Sequence, residues 1–562
     1  MRKKWVIYLW LLIWISGCNG NGTNPTAIST STPTSLTGPE VSSNSPSPIP
    51  TVLPSPSAVP EAVLWLDEAL PVGLRDQLSR NTMLRGEYEK DQANVWLELT
   101  TPEQSQVTWV YALVTPFSSL LEQMDYAQLM KWWQGQADAE AVNILVTEDT
   151  ANALEPLLGK FSPLYVTLEE EKDLLEAAWK QRDVLAIVPF DQLEPRWKVI
   201  PLNHQSPISN QFKVEDYPLA LNYRWNTSLP AVESLHLPEL VSNRDENKLT
   251  VLVMTGVTAL VRATAVRMEQ KGMTYPAEAI GDWLREADLT HISNEVSFSP
   301  RCPDPKMDPY PLIFCSKPEY IELLEAVGTD IVDLTGNHGV DWGRDALSFS
   351  LDLYRARGWV YYAAGENLTE ARDAVFVEHN GNRFAFLGCN PAGPAYIWAG
   401  EDFGGVAPCV YDWIQQRVRQ LSDEGYLVIF TFQYFETYRH WVEEFERQDF
   451  RKPADAGAVI VSGSQAHHPM AMEFYNDSFI HYGLGNLFFD QMWVDTVTIP
   501  EGTRKEFIDR HVFYNGKHIS TELLTAYLED YAQPRPMSPS ERYDFLKAIF
   551  TAAGWGPYHN NP

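Results

Sequence analysis

A chain of 562 residues is too long for a single hydrophobic core, so two or more domains are expected. Its 43 basic and 74 acidic side chains give a formal charge of −31. That charge repels nucleic acid and anionic lipid, which argues against either as a binding partner, and it leaves the fold open.

The chain starts Met1-Arg2-Lys3-Lys4, runs apolar from Trp5 to Ile15, and continues Ser16-Gly17-Cys18. A basic start, a short apolar run and small residues before a cysteine read as a signal peptide (residues 1–18) ending in a lipobox. The apolar run is short for a transmembrane helix. Cleavage would leave Cys18 as a lipidated first residue, tying an exported, bacterial-style protein to the outer face of a membrane. Residues 19–60 are Ser, Thr, Pro, Asn and Gly with scattered aliphatics, the composition of a disordered tether.

Residues 61–230 read as a first α/β block. Strand-like runs recur at Val63 to Leu66, Val107 to Val114, Asn143 to Val146 and Val184 to Val188. Helical spacing lies between them, at Leu120 to Trp133 and Leu168 to Gln181. The phrases Val110 to Phe117, Leu129 to Gly135 and Ala186 to Asp191 are similar to type II periplasmic solute-binding domains. No polar constellation in this block defines a ligand.

A polar stretch, Asn226 to Asn247, leads into a second α/β block, residues 249–495, opening on Leu249-Thr250-Val251-Leu252-Val253-Met254. Beyond it, residues 496–562 read as an extension. It carries edge strands around His511 to Tyr514 and His518 to Ser520, then a helix over Ser540 to Ala552. Besides Cys18 the chain has Cys302, Cys315, Cys389 and Cys409. An even number in an exported chain suggests disulfides, locally Cys302–Cys315 and Cys389–Cys409, and a zinc site is the competing reading.

In the second block, short polar phrases close one apolar run after another: Met254 to Leu260, Ile292 to Glu295, Thr335 to Gly343, Gly365 to Asn367, Phe432 to Tyr438, Gly463 to Pro469 and Tyr482 to Asp490. Strand-to-loop positions of this kind converge on one edge of a sheet. In this order the phrases resemble the CapA family, capsule and poly-γ-glutamate biosynthesis proteins of calcineurin-like metallophosphatase fold. The resemblance implies a four-layer α/β/β/α sandwich and a role in surface-polymer biosynthesis.

Carried over residue by residue, the resemblance implies metal ligation by Glu295, Asn337, His338 and His467, with His338 and His467 as the catalytic pair. Gln433, Glu436, Gln465 and Asn486 fall on the pocket wall, and Asp341 and His468 stand nearby in sequence. Asp341 also reads as a helix N-cap and His468 as a solvated loop residue. Three positions depart from the family: Val257 replaces a bridging aspartate, and Gln433 and Gln465 replace histidines. A bridging carboxylate holds two cations about 3.5–4 Å apart, which valine cannot do, and an amide is a poorer ligand than imidazole for zinc, iron or manganese.

Two readings follow. One is a lipid-anchored CapA-like hydrolase or transferase with one divalent metal (manganese, iron or zinc). The other is a metal-free relative that binds a cell-envelope polymer or solute. The expected partners are that polymer or its precursor, the membrane through the lipid, and other polymer-biosynthesis proteins. The 19 Trp, 25 Tyr and 24 Phe are expected mainly in cores, with any exposed ones suited to stacking on a polymer.

Overall fold

The computed structural model describes residues 61–80, 85–87, 89–136, 141–229, 237–308, 310–492 and 501–556. The leader, Cys18 and the tether lie outside the described residues. Pro60–Pro562 form one compact unit.

The first block is built on a nine-stranded mixed sheet. Its centre, Val107–Pro116, is rich in β-branched and aromatic residues, which suit an extended chain buried along nearly its whole length. It pairs antiparallel with Ala220–Thr227 and Val184–Pro189, and Asn143–Val146 lies parallel between Val184–Pro189 and Val166–Leu168. Helices Tyr126–Trp133, Glu148–Leu158 and Glu171–Gln181 connect these strands. Two helices are shorter than the apolar spacing suggests. Met124 donates its N–H to Pro201 O (3.0 Å) instead of entering a helix, and Leu168 pairs with Val146 as the last residue of a strand.

The second block is a four-layer α/β/β/α sandwich. One sheet runs, in spatial order, Val360–Tyr362, Ile331–Asp333, Leu289–Asn294, Leu249–Thr258, Lys505–Tyr514, Lys517–Glu529, Gln533–Pro536. The other runs Val375–His379, Asn382–Cys389, Leu427–Gln433, Ala458–Ser464, Ser478–His481, Met472–Tyr475. Alternation along each strand builds the layers, because successive side chains leave opposite faces. Leu252, Met254, Phe384, Phe386, Ile429 and Ile460 meet between the sheets. Val253, Ile292 and Val332 face outward under helices Arg262–Lys271 and Arg344–Arg357. Val428, Phe430 and Val461 face outward under Tyr411–Asp423 and Glu444–Asp455.

The C-terminal segment differs from its reading as an appendage. Lys505–Tyr514 lies between Leu249–Thr258 and Lys517–Glu529, so its strand is interior, and of this segment's strands Gln533–Pro536 lies at an edge of the sheet. Helix Pro539–Ala552 then covers the inter-sheet core with Phe545, Leu546, Ile549 and Phe550.

The first block joins this sandwich near the amino end of its central strand. Leu249 and Val251, with Val512, Tyr514 and Ile519, belong to the first block's core. Phe117 packs edge-on against Phe474 at 5.1 Å and Trp555 at 5.8 Å. Glu122 accepts from Lys198 (2.9 Å) and from Arg542 of the last helix (3.0 Å).

Both cysteine pairs are disulfides: Cys302–Cys315 with Cα atoms 5.7 Å apart, and Cys389–Cys409 at 5.1 Å. No described helix is long and apolar enough to cross a membrane.

Candidate functional site

The polar phrases gather where the parallel strands of both sheets end, away from the first block. Two glycines make the approach close. A Cβ on Gly256 would lie 2.3 Å from Gly485 O, and one on Gly336 would lie 2.6 Å from Glu295 Cα. Only hydrogen fits there, which lets the turn at Gly485-Asn486 pair with Val257 and lets Thr335 to His338 fold against Glu295. Gln465 (φ 79°) and His467 (φ 50°) adopt the left-handed region, where non-glycine residues are uncommon.

At the centre stands Gln433, fully buried at the end of Leu427–Gln433. Its Nε2 donates to Glu295 Oε1 at 2.9 Å, lies 3.4 Å from Asn337 Oδ1, and donates to Gln465 Oε1. Four of the residues expected at the site, Glu295, Asn337, Gln433 and Gln465, therefore form one amide–carboxylate cluster. Glu295 is 2% exposed, and its Oε2 and the Oε1 of Gln433 have no hydrogen-bond partner among the described residues.

The two histidines flank this cluster. His338 Nδ1 is 2.6 Å from Asp341 Oδ2, and His467 Nδ1 is 2.8 Å from Asn486 Oδ1. Burial acts to lower the His338 pKa, but the Asp341 hydrogen bond and the charge of Glu295 outweigh it, leaving the imidazole raised above its ordinary value. Phe314 packs on His338 at 4.5 Å and Phe489 on His467 at 5.2 Å. Between these rings lies Arg262, with its guanidinium 5.1 Å from Phe314 and 4.8 Å from Phe489. Arg262 Nε donates to Asp490 Oδ1 at 2.9 Å, and Asp490 also accepts from Ala263 N at 2.8 Å.

Several sequence readings change. Asp341 is not a helix N-cap: Gly343 holds that position, and Asp341 orients His338 while accepting from Phe314 N (2.9 Å). His468 is not solvated. It is 5% exposed, packs on His440 at 4.5 Å, and has its pKa pushed down to about 4 by burial and by His440. Asn486 does more than line a wall, since it anchors His467 and donates to Thr503 O at 3.0 Å. Glu436 lies at the exposed mouth, accepting from Tyr438 and from Gln491 (3.2 Å). Asn367 caps the helix Leu368–Arg372.

Sequence reasoning missed Arg262, Phe314 and Phe489. The only signal was a lone arginine directly after the apolar run Ala259-Leu260-Val261.

The donor set does not fit a two-metal centre. Val257, where the resemblance implies a bridging aspartate, is buried in an apolar cluster with Ala259, Val261, Val296, Phe314 and Phe489. An amide N–H, which has no lone pair to give, fills the space between Glu295, Asn337 and Gln465. Among the described residues no three His, Cys, Asp or Glu side chains converge as a group that could hold a metal ion.

Comparison with known proteins bears out the CapA resemblance of this region. The family described as "Bacterial capsule synthesis protein PGA_cap" matches residues 251–491. The capsule biosynthesis protein CapA of Bacillus anthracis is 25% identical over 269 residues, 46% of this chain and 63% of that protein. The PGA biosynthesis protein CapA of Bacillus subtilis (strain 168) is 25% identical over 179 residues, 32% of this chain and 47% of that one. The chain thus spans less than two thirds of either relative. Among solved structures, a 5'-nucleotidase precursor from Thermus thermophilus covers 54% of this chain and 58% of its own at 13% identity and TM-score 0.31. An ABC-type phosphate transport receptor from Vibrio cholerae covers 30% of this chain and 86% of its own at 11% identity and TM-score 0.25. At such scores the fold rests on its own sheets and layers.

Proposed function

We propose that this protein binds a cell-surface polymer or its precursor during capsule or poly-γ-glutamate type biosynthesis, held at the outer membrane face by a lipid on Cys18. The likeness of residues 251–491 to capsule synthesis proteins supports the pathway class. The observation that carries binding rather than hydrolysis is the Gln433 amide, whose N–H groups face Glu295, Asn337 and Gln465. With Val257 in an apolar cluster, the site is a degenerate metal centre turned into a polar pocket. Other polymer-biosynthesis proteins are its expected neighbours at the membrane.

The test is elemental analysis of the purified protein after manganese, iron and zinc are supplied, beside a Val257→Asp/Gln433→His/Gln465→His variant. The parent is expected to hold no stoichiometric metal and the variant to gain it. One tightly held equivalent in the parent, lost in His338→Ala/His467→Ala, sinks the reading. The Cys18→Ala variant is expected to leave the membrane fraction.

That contrary outcome would select a second reading, a hydrolase with one divalent metal on Glu295, Asn337, His338 and His467. One observation favours it. Both histidines have Nδ1 engaged, by Asp341 and Asn486, which is how a ligating imidazole has its tautomer fixed and its Nε2 directed at a metal. The metal would then supply Lewis-acid polarisation of the scissile group.

A further inference from the structure

The sheet that carries the last strands is incompletely covered at one edge. Lys517–Glu529 pairs with Gln533–Pro536 only from Ala526 to Glu529, so Thr521 to Thr525 run past the end of that partner. Lys198 and Val199 of the strand Trp197–Val199, Trp283 and the last helix, Pro539–Ala552, stand around this stretch. They leave a cavity of about 250 Å³ at the seam between the two blocks. None of its lining residues belongs to the Glu295–Gln433 cluster.

The walls are of two kinds. Met537, Leu546 and Phe550 extend the inter-sheet core as apolar surface, and Trp283 stands with them. Four charged side chains complete the lining: Glu122, Lys198, Glu522 and Arg542. Glu522 accepts at 3.4 Å from Arg510, which does not line the cavity. Glu122 therefore faces two cations, accepting from Lys198 at 2.9 Å with one oxygen and from Arg542 at 3.0 Å with the other.

One positive charge is left over, in a chain of formal charge −31. Lys198 and Arg542 are only 18% and 20% exposed, so water screens this excess poorly. Burial, helped by the Arg542 charge, outweighs Glu122 and holds the Lys198 pKa below its ordinary value. Donors are left over too. Lys198 gives a second N–H to Ser119 O (3.1 Å), and an ammonium has three. Arg542 Nη1 donates to Leu523 O (2.6 Å) and Thr525 Oγ1 (3.1 Å), while its Nη2 has no acceptor among the described residues.

A ligand that completes this set carries one negative charge on an apolar body. A second negative charge would exceed the single spare cation and repel Glu122 and Glu522, which favours a carboxylate over a phosphate dianion. The cavity is smaller than the roughly 300–1,000 Å³ of drug-sized pockets, so the ligand is small.

We propose that the seam cavity binds a small amphipathic monocarboxylate, with its carboxylate on Lys198 and Arg542 and its apolar body against Met537, Leu546 and Phe550. This site goes beyond the polymer-binding reading and does not depend on it.

The experiment is calorimetric titration of the full chain in detergent with 4-phenylbutyrate, 4-phenylbutan-1-ol and 4-phenylbutylamine, which share an apolar body and differ in charge. The acid is expected to bind at one site, the alcohol about tenfold more weakly, and the amine not at all. In protein carrying carbon-13 methionine methyls, the acid should shift the Met537 resonance, identified by its loss in Met537→Leu. Lys198→Gln is expected to weaken the acid about tenfold and Lys198→Arg to retain it, each checked for unchanged melting. If Lys198→Gln fails to fold, the acid–amine contrast and the Met537 shift decide. No binding of the acid up to about 1 mM overturns the proposal, as does equal binding of acid and amine. An unmoved Met537 methyl, or a folded Lys198→Gln of unchanged affinity, overturns it as well.

Discussion

The two blocks of this chain are both α/β, yet they use their polar strand ends differently. In the first block such groups stabilise the fold. Thr147 caps a helix by accepting from Thr150 N at 3.1 Å, and Asp191 accepts from Asn243 at 3.1 Å. In the second block Glu295, Gln433 and Gln465 bond mainly to one another, and two of their oxygens have no partner among the described residues. A strand end becomes a site where polar groups are brought together and left incompletely paired, because only there does a ligand gain by supplying the missing hydrogen bond.

Breaking the pocket's foundation should have the largest effect. Asp490→Ala removes the carboxylate paired with the buried Arg262 guanidinium, at a cost of about 3–5 kcal/mol, read as a large fall in melting temperature together with lost ligand binding. Phe117→Ala, at the seam between blocks, is expected to cost about 3–5 kcal/mol by opening a cavity. Unlike Asp490→Ala, it should leave the affinity of the remaining folded protein unchanged. Parallel loss of affinity would show that the blocks share a site.

A pH measurement sharpens the contrast. Burial between the sheets pushes the Asp333 carboxyl up to about 6 against hydrogen bonds that lower it. The folded state then keeps a proton that the unfolded chain has released, so this group's contribution falls as pH rises from the ordinary carboxyl range through about 6. Asp333→Asn should therefore be more stable than the parent above that window, by on the order of 3 kcal/mol, and equal to it below. Denaturant unfolding at pH 4 and pH 7 checks both limbs. The smallest effect is expected from Thr147→Ala, about 1 kcal/mol for a lost cap, with binding untouched.

Much of the architecture was legible in the sequence, because the apolar runs are strongly periodic. Val107 to Val114, Asn143 to Val146 and Leu249 to Met254 all lie in strands. The errors fall where long-range pairing overrides local spacing. Residues 120–125 have helical spacing, but Pro201 draws Met124 into a bridge region instead. His511 to Tyr514 resembles an edge strand only until Leu249–Thr258 pairs with it across more than two hundred residues of chain. Of the candidate site, Glu295, Asn337, His338 and His467 were named from the motifs, while Arg262 was not, because its place depends on a positive φ and on Asp490 far along the chain.

By itself the sequence determined which residue types stand where the apolar runs end, Val257, Gln433 and Gln465 among them. Those are covalent facts, independent of folding. Only the tertiary structure decided what these residues do together: that Val257 joins an apolar cluster, and that Gln433 turns its amide onto Glu295 and Gln465. Hydrogen bonds and packing act over a few ångströms, and residues so far apart in sequence come within that range only when the sheets have formed.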